Sequence, residues 1–513
     1  MIILYHNNSE VKEIIFNSTT DFKSYYNQSI IVVLIALAKQ FPDEIVVWCD
    51  ENAKDNLNIE AIETLFHHKK LLFSYHPFEI TYLDKRIGYV EDSSFIKINK
   101  DKRYPTWQMT SYVGAINTTT LVACSNVVDG SDNFDYFLNS LAKRAMQFGM
   151  FCYSEPKLLL KNNPIKSKNK SSISELFKFT KQHYKTRWVF LLFFNILIYE
   201  KKIKFLPFVK SLFYKKRGFN PELLDKIPVQ SSKKIIDVGS IDVLIPTIGR
   251  KKYLLDVLEN LSNQTYLPSN VIIVEQNPIE NSISELDFIK GRIWPFIIKH
   301  HFTHQAGACN ARNIGLKLIE SEFVFMADDD IVFENDMIEK AFEIFKSTGN
   351  EVFLIACHLK SESIIPISPV QFSFFGAGHA FVKSSCLDGL NFEMAYEFGF
   401  GEDIDFGMQI RNKGFDILAI STYKILHLKA PIGGFRTKPI LRWHNEIIQP
   451  KPSPTVMLCR LTHNTKEQLL SYKTTLFFKN INLDFLKNPL TYIKKFNSKW
   501  YKSIYWANKL NDE

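Results

Sequence analysis

Phe323-Val324-Phe325-Met326-Ala327-Asp328-Asp329-Asp330 decides how this chain is read. Five strand-compatible apolar residues run straight into three carboxylates. Such a segment predicts a strand buried on both faces, with negative charge at its carboxyl end, where open α/β sheets bind ligands. Alternation along an extended backbone points Asp328 and Asp330 to the same side. Two carboxylates that close call for a cation between them. An all-oxygen pair suits Mg²⁺ or Mn²⁺, and either ion can in turn hold a diphosphate. The same residues also fit an acidic helix N-terminus, because the chain from Ile331 onward reads as helical and acids are favoured there. Taken alone, the triplet leaves both readings open.

The flanking sequence supplies a sheet for that strand. Upstream, Ile241-Asp-Val-Leu-Ile245 reads as a strand closed by Pro246-Thr247, with Arg250 just beyond. A helix is expected over about 252–263, and a second buried strand, Val271-Ile-Ile-Val274, ends in Glu275-Gln276. Strands alternating with helices at this spacing predict a largely parallel, doubly wound sheet. Its carboxyl edge would gather Thr247, Arg250, Glu275 and the three aspartates. The segment His304-Gln-Ala-Gly307-Ala-Cys-Asn310-Ala-Arg312-Asn313-Ile-Gly315 lies between. Its small residues let backbone approach a ligand, and Arg312 suits a phosphate or the nearby acids. Helix packing explains the glycines equally well.

Downstream, Gly399-Phe-Gly401-Glu402-Asp403 opens an amphipathic helix that closes at Gly414. A carboxylate at that mouth, beside a bound metal-diphosphate, is placed to take a proton from an incoming hydroxyl. An N-capping acid pair is the plainer alternative. Tyr423-Lys-Ile-Leu-His427 reads as a short strand whose single histidine is either structural or a third metal ligand.

The ordered set, PTxxR, an acid after the second strand, NARNxG, DDD, GED and then His, resembles the inverting family-2 glycosyltransferases of the GT-A fold, over roughly residues 240–435. The resemblance implies a nucleotide pocket of Pro246, Thr247, Arg250, Glu275 (near the base), Arg312, Asp328 and Asp329. Asp328, Asp330 and His427 would hold Mn²⁺ or Mg²⁺. Asp403 would be the general base, with Glu402 orienting the acceptor. Gly376-Ala377-Gly378, followed by His379-Ala380, matches the small-residue strand bordering the donor sugar, and Gly401 lies on the acceptor side. The nucleotide implied is UDP. Two departures matter: the second strand ends in Glu-Gln-Asn rather than Asp-Asp-Gly, and the QxxRW motif of processive members does not follow Asp403. A single-addition enzyme of polysaccharide or lipopolysaccharide synthesis is therefore expected, acting on a surface-glycan or lipid-linked acceptor. A sugar-phosphate nucleotidyltransferase is the alternative enzyme, but Pro246-Thr-Ile-Gly-Arg250 is not its GxGTRxxP loop. A glycan-binding scaffold is the non-catalytic alternative.

Charge is uneven along the chain. Between Lys161 and Arg217 stand 15 Lys and Arg against Glu175 and Glu200, a local net of +13 in a chain of +9, so the remainder sums to −4. Inside this stretch Trp188-Val-Phe-Leu-Leu-Phe-Phe-Asn-Ile-Leu-Ile-Tyr199 is too short to span a bilayer, which needs about 20 residues. Basic flanks around it fit a segment at an anionic membrane surface, or a buried helix with a solvated basic face. No nucleic-acid motif accompanies the charge, so no nucleic-acid partner is expected. Seven scattered cysteines without CxxC spacing, and a start lacking a charged, apolar leader pattern, predict a reducing cytoplasmic location, peripheral on the inner face of the membrane.

Four regions are expected: an α/β domain over 1–160, a basic helical linker over 161–236, the GT-A domain over 237–435, and a basic, mainly helical extension over 436–513. The first reads as a degenerate GT-A-like copy. Ile2-Ile-Leu4 would be its first strand, Ile45–Trp48 its second, and Ile87–Val90 the strand before the acids, with Glu91-Asp92-Ser93 in place of the aspartates. Tyr112–Ala115 would match Phe374–Ala377, and Asn133-Phe134-Asp135 would open the last helix. An unrelated α/β domain and an active second transferase stay open. A degenerate copy fits acceptor binding or a homo-oligomer contact.

Overall fold

The computed structural model describes residues 1–16, 22–77, 81–125, 132–161, 170–362, 369–430, 439–481 and 487–512. Most of the expected polar linker, residues 162–169, lies outside them. The chain forms two compact units, Met1–Ser232 with Asn464–Asn480, and Lys233–His463 with Ile481–Glu513. The basic stretch thus belongs to the first unit, and the C-terminal region is divided between both.

The first unit contains β1 (Ile2–Asn7), β2 (Glu10–Ile15), β3 (Ile45–Asp50), β4 (Leu71–Ser74), β5 (Tyr104–Pro105), β6 (Val113–Asn117) and β7 (Phe151–Ser154) in the order β2-β1-β3-β6-β4-β7-β5. The central strands are continuous apolar runs buried along their length, as strands covered on both faces must be.

The second unit contains β8 (Ile241–Thr247), β9 (Asn270–Gln276), β10 (Ile297–Thr303), β11 (Phe323–Ala327), β12 (Ile331–Val332), β13 (Val352–His358), β14 (Val370–Gln371), β15 (His379–Lys383) and β16 (Leu418–His427). The order is β10-β9-β8-β11-β15-β13-β16-β12, with β14 also on β16. β10, β9, β8 and β11 are mutually parallel neighbours, as the βαβ spacing predicts. β15 runs antiparallel between β11 and β13, so the sheet is mixed. Every residue of β11 is buried, which brings its carboxylates to the carboxyl edge of the sheet centre.

The helical reading of Ile331 onward is corrected. Ile331-Val332 is a strand, and the helix begins only at Met337. Ile331 pairs with His427, and the Leu428 amide donates to the Asp330 carbonyl at 2.9 Å. Strand pairing by β-branched residues prevails there over any helical start. The aspartates therefore sit in a strand-to-strand turn rather than on a helix N-terminus, and the pairing brings His427 beside Asp330.

Five successive pairings follow one plan in the two sheets, although β1–β2 is antiparallel where β8–β9 is parallel. In the second unit β8–β11 is parallel, β11–β15 and β15–β13 antiparallel, β13–β16 parallel and β16–β14 antiparallel. In the first, β1–β3 is parallel, β3–β6 and β6–β4 antiparallel, β4–β7 parallel and β7–β5 antiparallel. Single hydrogen bonds repeat as well. The Asp328 amide donates to the Gly378 carbonyl at 3.1 Å, and the Asp50 amide to that of Tyr112 at 2.8 Å. This corrects the expected register. β3 occupies the place of β11, so Asp50-Glu51 correspond to Asp328-Asp329. Lys85–Tyr89, expected to overlap the acid-bearing strand, is a 3₁₀ helix. Gly88 lies where a Cβ would come within 2.8 Å of Thr465 Oγ1, so this turn packs tightly against the chain entering helix Lys466–Lys479 instead of joining the sheet.

Candidate active site

A cleft of about 340 Å³ opens at the carboxyl ends of β8 and β11. Its floor is set by Asp329, which is buried and bonded on both oxygens. Thr247 Oγ1 donates to Oδ2 at 2.7 Å, and Arg250 Nη1 to Oδ1 at 2.5 Å. Burial pushes the Asp329 carboxyl up to about 6, against the opposing pull of Arg250 and Thr247. Asp329 thus ties the loop after β8 to the end of β11. Arg250 also reaches Asp330 Oδ2 at 3.0 Å, and the Ala430 amide donates to that oxygen at 2.9 Å.

The other Asp330 oxygen differs. Oδ1 is buried without a hydrogen bond, although His427 Nε2 approaches to 3.2 Å. One ligand atom each from Asp328, Asp330 and His427 lie within 4.8 Å of one another. An orphaned buried carboxylate oxygen, a half-exposed second carboxylate and an imidazole fit a divalent cation. Two oxygens and one nitrogen suit Mn²⁺ better than Mg²⁺, which favours oxygen alone. Gly378 leaves the room that Asp328 needs, since a Cβ there would lie 2.2 Å from Asp328 Oδ2.

The opposite side is built by the helix Glu402–Asn412, which starts after Gly401 at φ +124°. Arg312, on the helix Ala308–Leu316, lies between the two walls. Its guanidinium is 3.9 Å from Asp328 and 3.8 Å from Asp403. It rests over Phe392, which stacks on Phe406 of the 402–412 helix. Burial alone would lower the Arg312 pKa, but Asp403, Asp328 and Glu402 together raise it. Asp403 is raised by burial, with Arg312 and the Ala377 amide pulling against that and Asp328 adding to it. Glu402 is raised by burial and by Asp403. The cleft therefore pairs a wall whose donor atoms fit a cation with a neighbouring carboxylate of raised proton affinity.

The structure gathers Pro246, Thr247, Arg250, Arg312, the three aspartates, Glu402 and His427 around this cleft. Gly376, Ala377, Gly378, Gly401 and Asp403 do not line it; they sit behind its wall, where the Gly378 carbonyl accepts the Asp328 amide and the Ala377 amide donates to Asp403. Glu275 is engaged elsewhere: it accepts from Ser284 Oγ, the Glu285 amide and His300 Nε2, at 2.5, 2.8 and 2.8 Å. The next residue, Gln276, lines the cleft instead and accepts from the Gly307 amide at 2.6 Å. Sequence reading also missed Glu397, whose carboxylate accepts the Cys309 and Asn310 amides at the start of the 308–316 helix. Only Gly307, at φ +140°, tolerates it, because a Cβ would meet that carboxylate at 2.2 Å. Lys429, two residues past His427, lines the cleft too. Asp405 is held by His463, at 2.7 Å, so the helix Pro454–His463 buttresses the acid-bearing helix.

Comparison with known proteins bears on the part of the chain that carries this cleft. Residues 242–396 match the family described as Glycosyl transferase family 2, and the Glu402-Asp403 pair and His427 lie just beyond the matched stretch. The chain is 26% identical over 114 residues to glycosyltransferase GlyG of Streptococcus pneumoniae serotype 4, covering 22% of this chain and 38% of that protein. It is 23% identical over 115 residues to the poly(ribitol-phosphate) β-N-acetylglucosaminyltransferase TarS of Staphylococcus aureus, covering 22% and 20%. The chain thus spans less than half the length of either relative. A crystal structure of S. aureus TarS 1–349 with UDP-GlcNAc aligns at a TM-score of 0.36 and 17% identity, over 50% of this chain and 80% of that one. β8 to β15 and the aspartates at their edge fall within the matched family, and the chain carries, over residues 242–396, a glycosyl transferase family 2 domain.

Proposed function

We propose that this protein moves a single sugar from a nucleotide-diphosphate sugar to a hydroxyl of a surface-glycan or lipid-linked acceptor, inverting the anomeric carbon. The observation that carries this reading is the cation-ligand set Asp328, Asp330 and His427 facing Asp403 across Arg312. UDP is the first nucleotide to test, in keeping with the family and with the N-acetylglucosaminyl transfer in the name of TarS. We propose the cytoplasmic face of a membrane as its place of work, where lipid-linked acceptors are presented. Among the described residues no helix is long and apolar enough to cross one.

The chemistry follows from where charge moves. The acceptor oxygen attacks the anomeric carbon and its proton passes to Asp403. The bond to the diphosphate breaks, and its electron pair leaves on the phosphate oxygen. Mn²⁺ or Mg²⁺ held by Asp328, Asp330 and His427 would supply positive charge to that diphosphate. Arg312 and Lys429 add side-chain cations facing the same space. Asp329 keeps Thr247 and Arg250 in place beneath it. A thermal-shift panel of nucleotides and nucleotide sugars, with and without Mn²⁺, followed by product analysis, tests the reading. Stabilisation by a nucleoside diphosphate only when Mn²⁺ is present is expected. No response to any nucleotide would remove the proposal.

The raised Asp403 gives a pH prediction. The base works when deprotonated, so transfer is lost as pH falls through its pKa, which burial raises above that of an ordinary aspartate. Arg312 pulls that pKa down. Arg312→Gln should therefore move the acidic limb of kcat to higher pH, as well as weakening donor binding. A uniform loss with an unmoved limb would assign Arg312 to packing alone.

Residues 1–160 we read as a GT-A-like copy without a donor site. Tyr112 stands where Gly378 makes room for Asp328, and Asn52 stands in sequence where Asp330 does. Asp135, second in its helix as Asp403 is in the other, is buried, and accepts the Ser111 amide at 2.7 Å as Asp403 accepts that of Ala377.

A further inference from the structure

The apolar run Trp188–Tyr199, which reads either as a membrane-surface segment or as a buried helix, packs one side into the core. It forms the helix Arg187–Glu200, and Val189, Leu191, Leu192, Asn195 and Ile196 are buried. Phe190, Phe194 and Ile198 are its exposed edge, and Trp188, Phe193, Leu197 and Tyr199 are partly buried. The next element behaves differently. Lys201, at φ +57°, ends the helix, and a short helix Phe205–Leu212 follows. That helix is anchored by Phe208, which packs against Phe190 and Phe193 at ring-centroid distances of 5.1 and 4.8 Å. This helix and its flanks carry apolar residues into water: Ile203, before it, is 74% exposed, Leu206 within it 80%, and Phe213, which caps it, 83%. Leu206, Lys210 and Phe213 follow the i, i+4, i+7 spacing of one outward side, while Val209 beside them is partly packed against the core. Lysines flank it on both sides, with Lys201, Lys202 and Lys204 before it and Lys215 and Lys216 after. Of these, Lys202 has a carboxylate in reach, Glu200 at 3.9 Å, which is already paired with Arg86.

We infer that residues 201–216 are the membrane-docking surface of this protein, with Leu206, Phe213 and Ile203 entering the interface of an anionic bilayer and the lysines meeting its headgroups. This sharpens the peripheral placement proposed above and is independent of the transfer chemistry. Three observations favour lipid over other occupants. Bulky apolar tips held outward by a buried anchor are the shape that inserts shallowly rather than packing into a groove. Lysines on both flanks complement an anionic surface and its headgroups. A second copy of the same face would set lysines against lysines, which disfavours symmetric pairing.

The test is sedimentation of the full chain with vesicles of phosphatidylcholine alone, or with about one-third phosphatidylglycerol. Binding to the anionic vesicles only, weakening as salt rises, is expected. Leu206→Glu with Phe213→Glu should lower the bound fraction about tenfold, and Lys201, Lys202 and Lys204→Gln should lower it severalfold. All of these residues are exposed except Lys204, which is half-buried, so circular dichroism and the thermal midpoint should match the native chain. Donor-dependent transfer to a soluble acceptor should also be unchanged, which separates this proposal from that of function. Equal binding to neutral vesicles, or unaltered binding by the Leu206/Phe213 variant, would overturn it. So would concentration-dependent self-association abolished by the same substitutions with no vesicle binding.

Discussion

Asp403→Asn should bind a UDP-sugar with Mn²⁺ as the native chain does, and lose transfer by about three orders of magnitude, within the range for removal of a general base. The substitution is nearly isosteric, and the Ala377 amide that donates to Asp403 can still donate to an amide oxygen. What disappears is the proton acceptor. Arg312, 3.8 Å away, loses one counter-charge but keeps Asp328 and its seat over Phe392, so the fold and the donor wall should stand. The topologically equivalent Asp135 supplies an internal control. Asp135→Asn removes a buried carboxyl raised to about 6 and bonded to Ser111, so it should cost stability. Transfer per folded molecule should nevertheless stay within about twofold, if only the second unit carries chemistry. Retained turnover in Asp403→Asn would place the base elsewhere. A loss in Asp135→Asn that exceeds its loss of folded protein would mean that the first unit takes part.

Much of this arrangement is legible in residue order, and what is not has physical causes. β11 was readable because five apolar residues followed by acids admit few folds. The 402–412 helix was readable from its glycines and acids. The reading of Ile331 failed because a two-residue strand has no periodicity of its own and is created by its partner, β16. Glu275 and Gln276 are neighbours in one strand, so their side chains face opposite ways, and the pattern does not say which enters the cleft. Glu397 and Lys429 lie in loops, where no period marks direction. In the first unit the acids mislead: Glu91-Asp92 looked like a worn copy of the aspartates, yet Glu91 is bound to Lys143 and Tyr184 within the packed interior. Pairing order, which is not written locally, assigns the equivalence to Asp50 instead. The exposed Leu206 and Phe213 are overshadowed by the longer apolar run before them, because hydropathy cannot distinguish the buried Phe208 from Phe213 held in water.

Asp330→Asn should remove metal dependence while leaving a folded protein. Asp330 stands at the junction of three demands. One oxygen takes Arg250 and the Ala430 amide, and the other is buried, unbonded and turned toward His427. An asparagine oxygen can satisfy the first pair, and Arg250 retains Asp329 at 2.5 Å, so the loop after β8 keeps its anchor. The amide NH₂ then occupies the place of the free oxygen. A donor replaces an acceptor where a cation must bind, and one negative charge is lost from a set that contains only two carboxylates. The Mn²⁺-dependent thermal shift with UDP should therefore vanish, and transfer should fall by at least about a thousandfold, a loss comparable to that of other preorganised electrostatic groups. Chelation should bring the native enzyme down to the same floor, and the variant should be indifferent to chelator. Asp328→Asn should be milder, since Asp328 is half-exposed and water can fill its place. A fully active, chelator-sensitive Asp330→Asn would show that the metal lies elsewhere. A variant that is inactive yet still binds UDP more tightly with Mn²⁺ would leave Asp328 and His427 as the holders, with Asp330 serving to position His427.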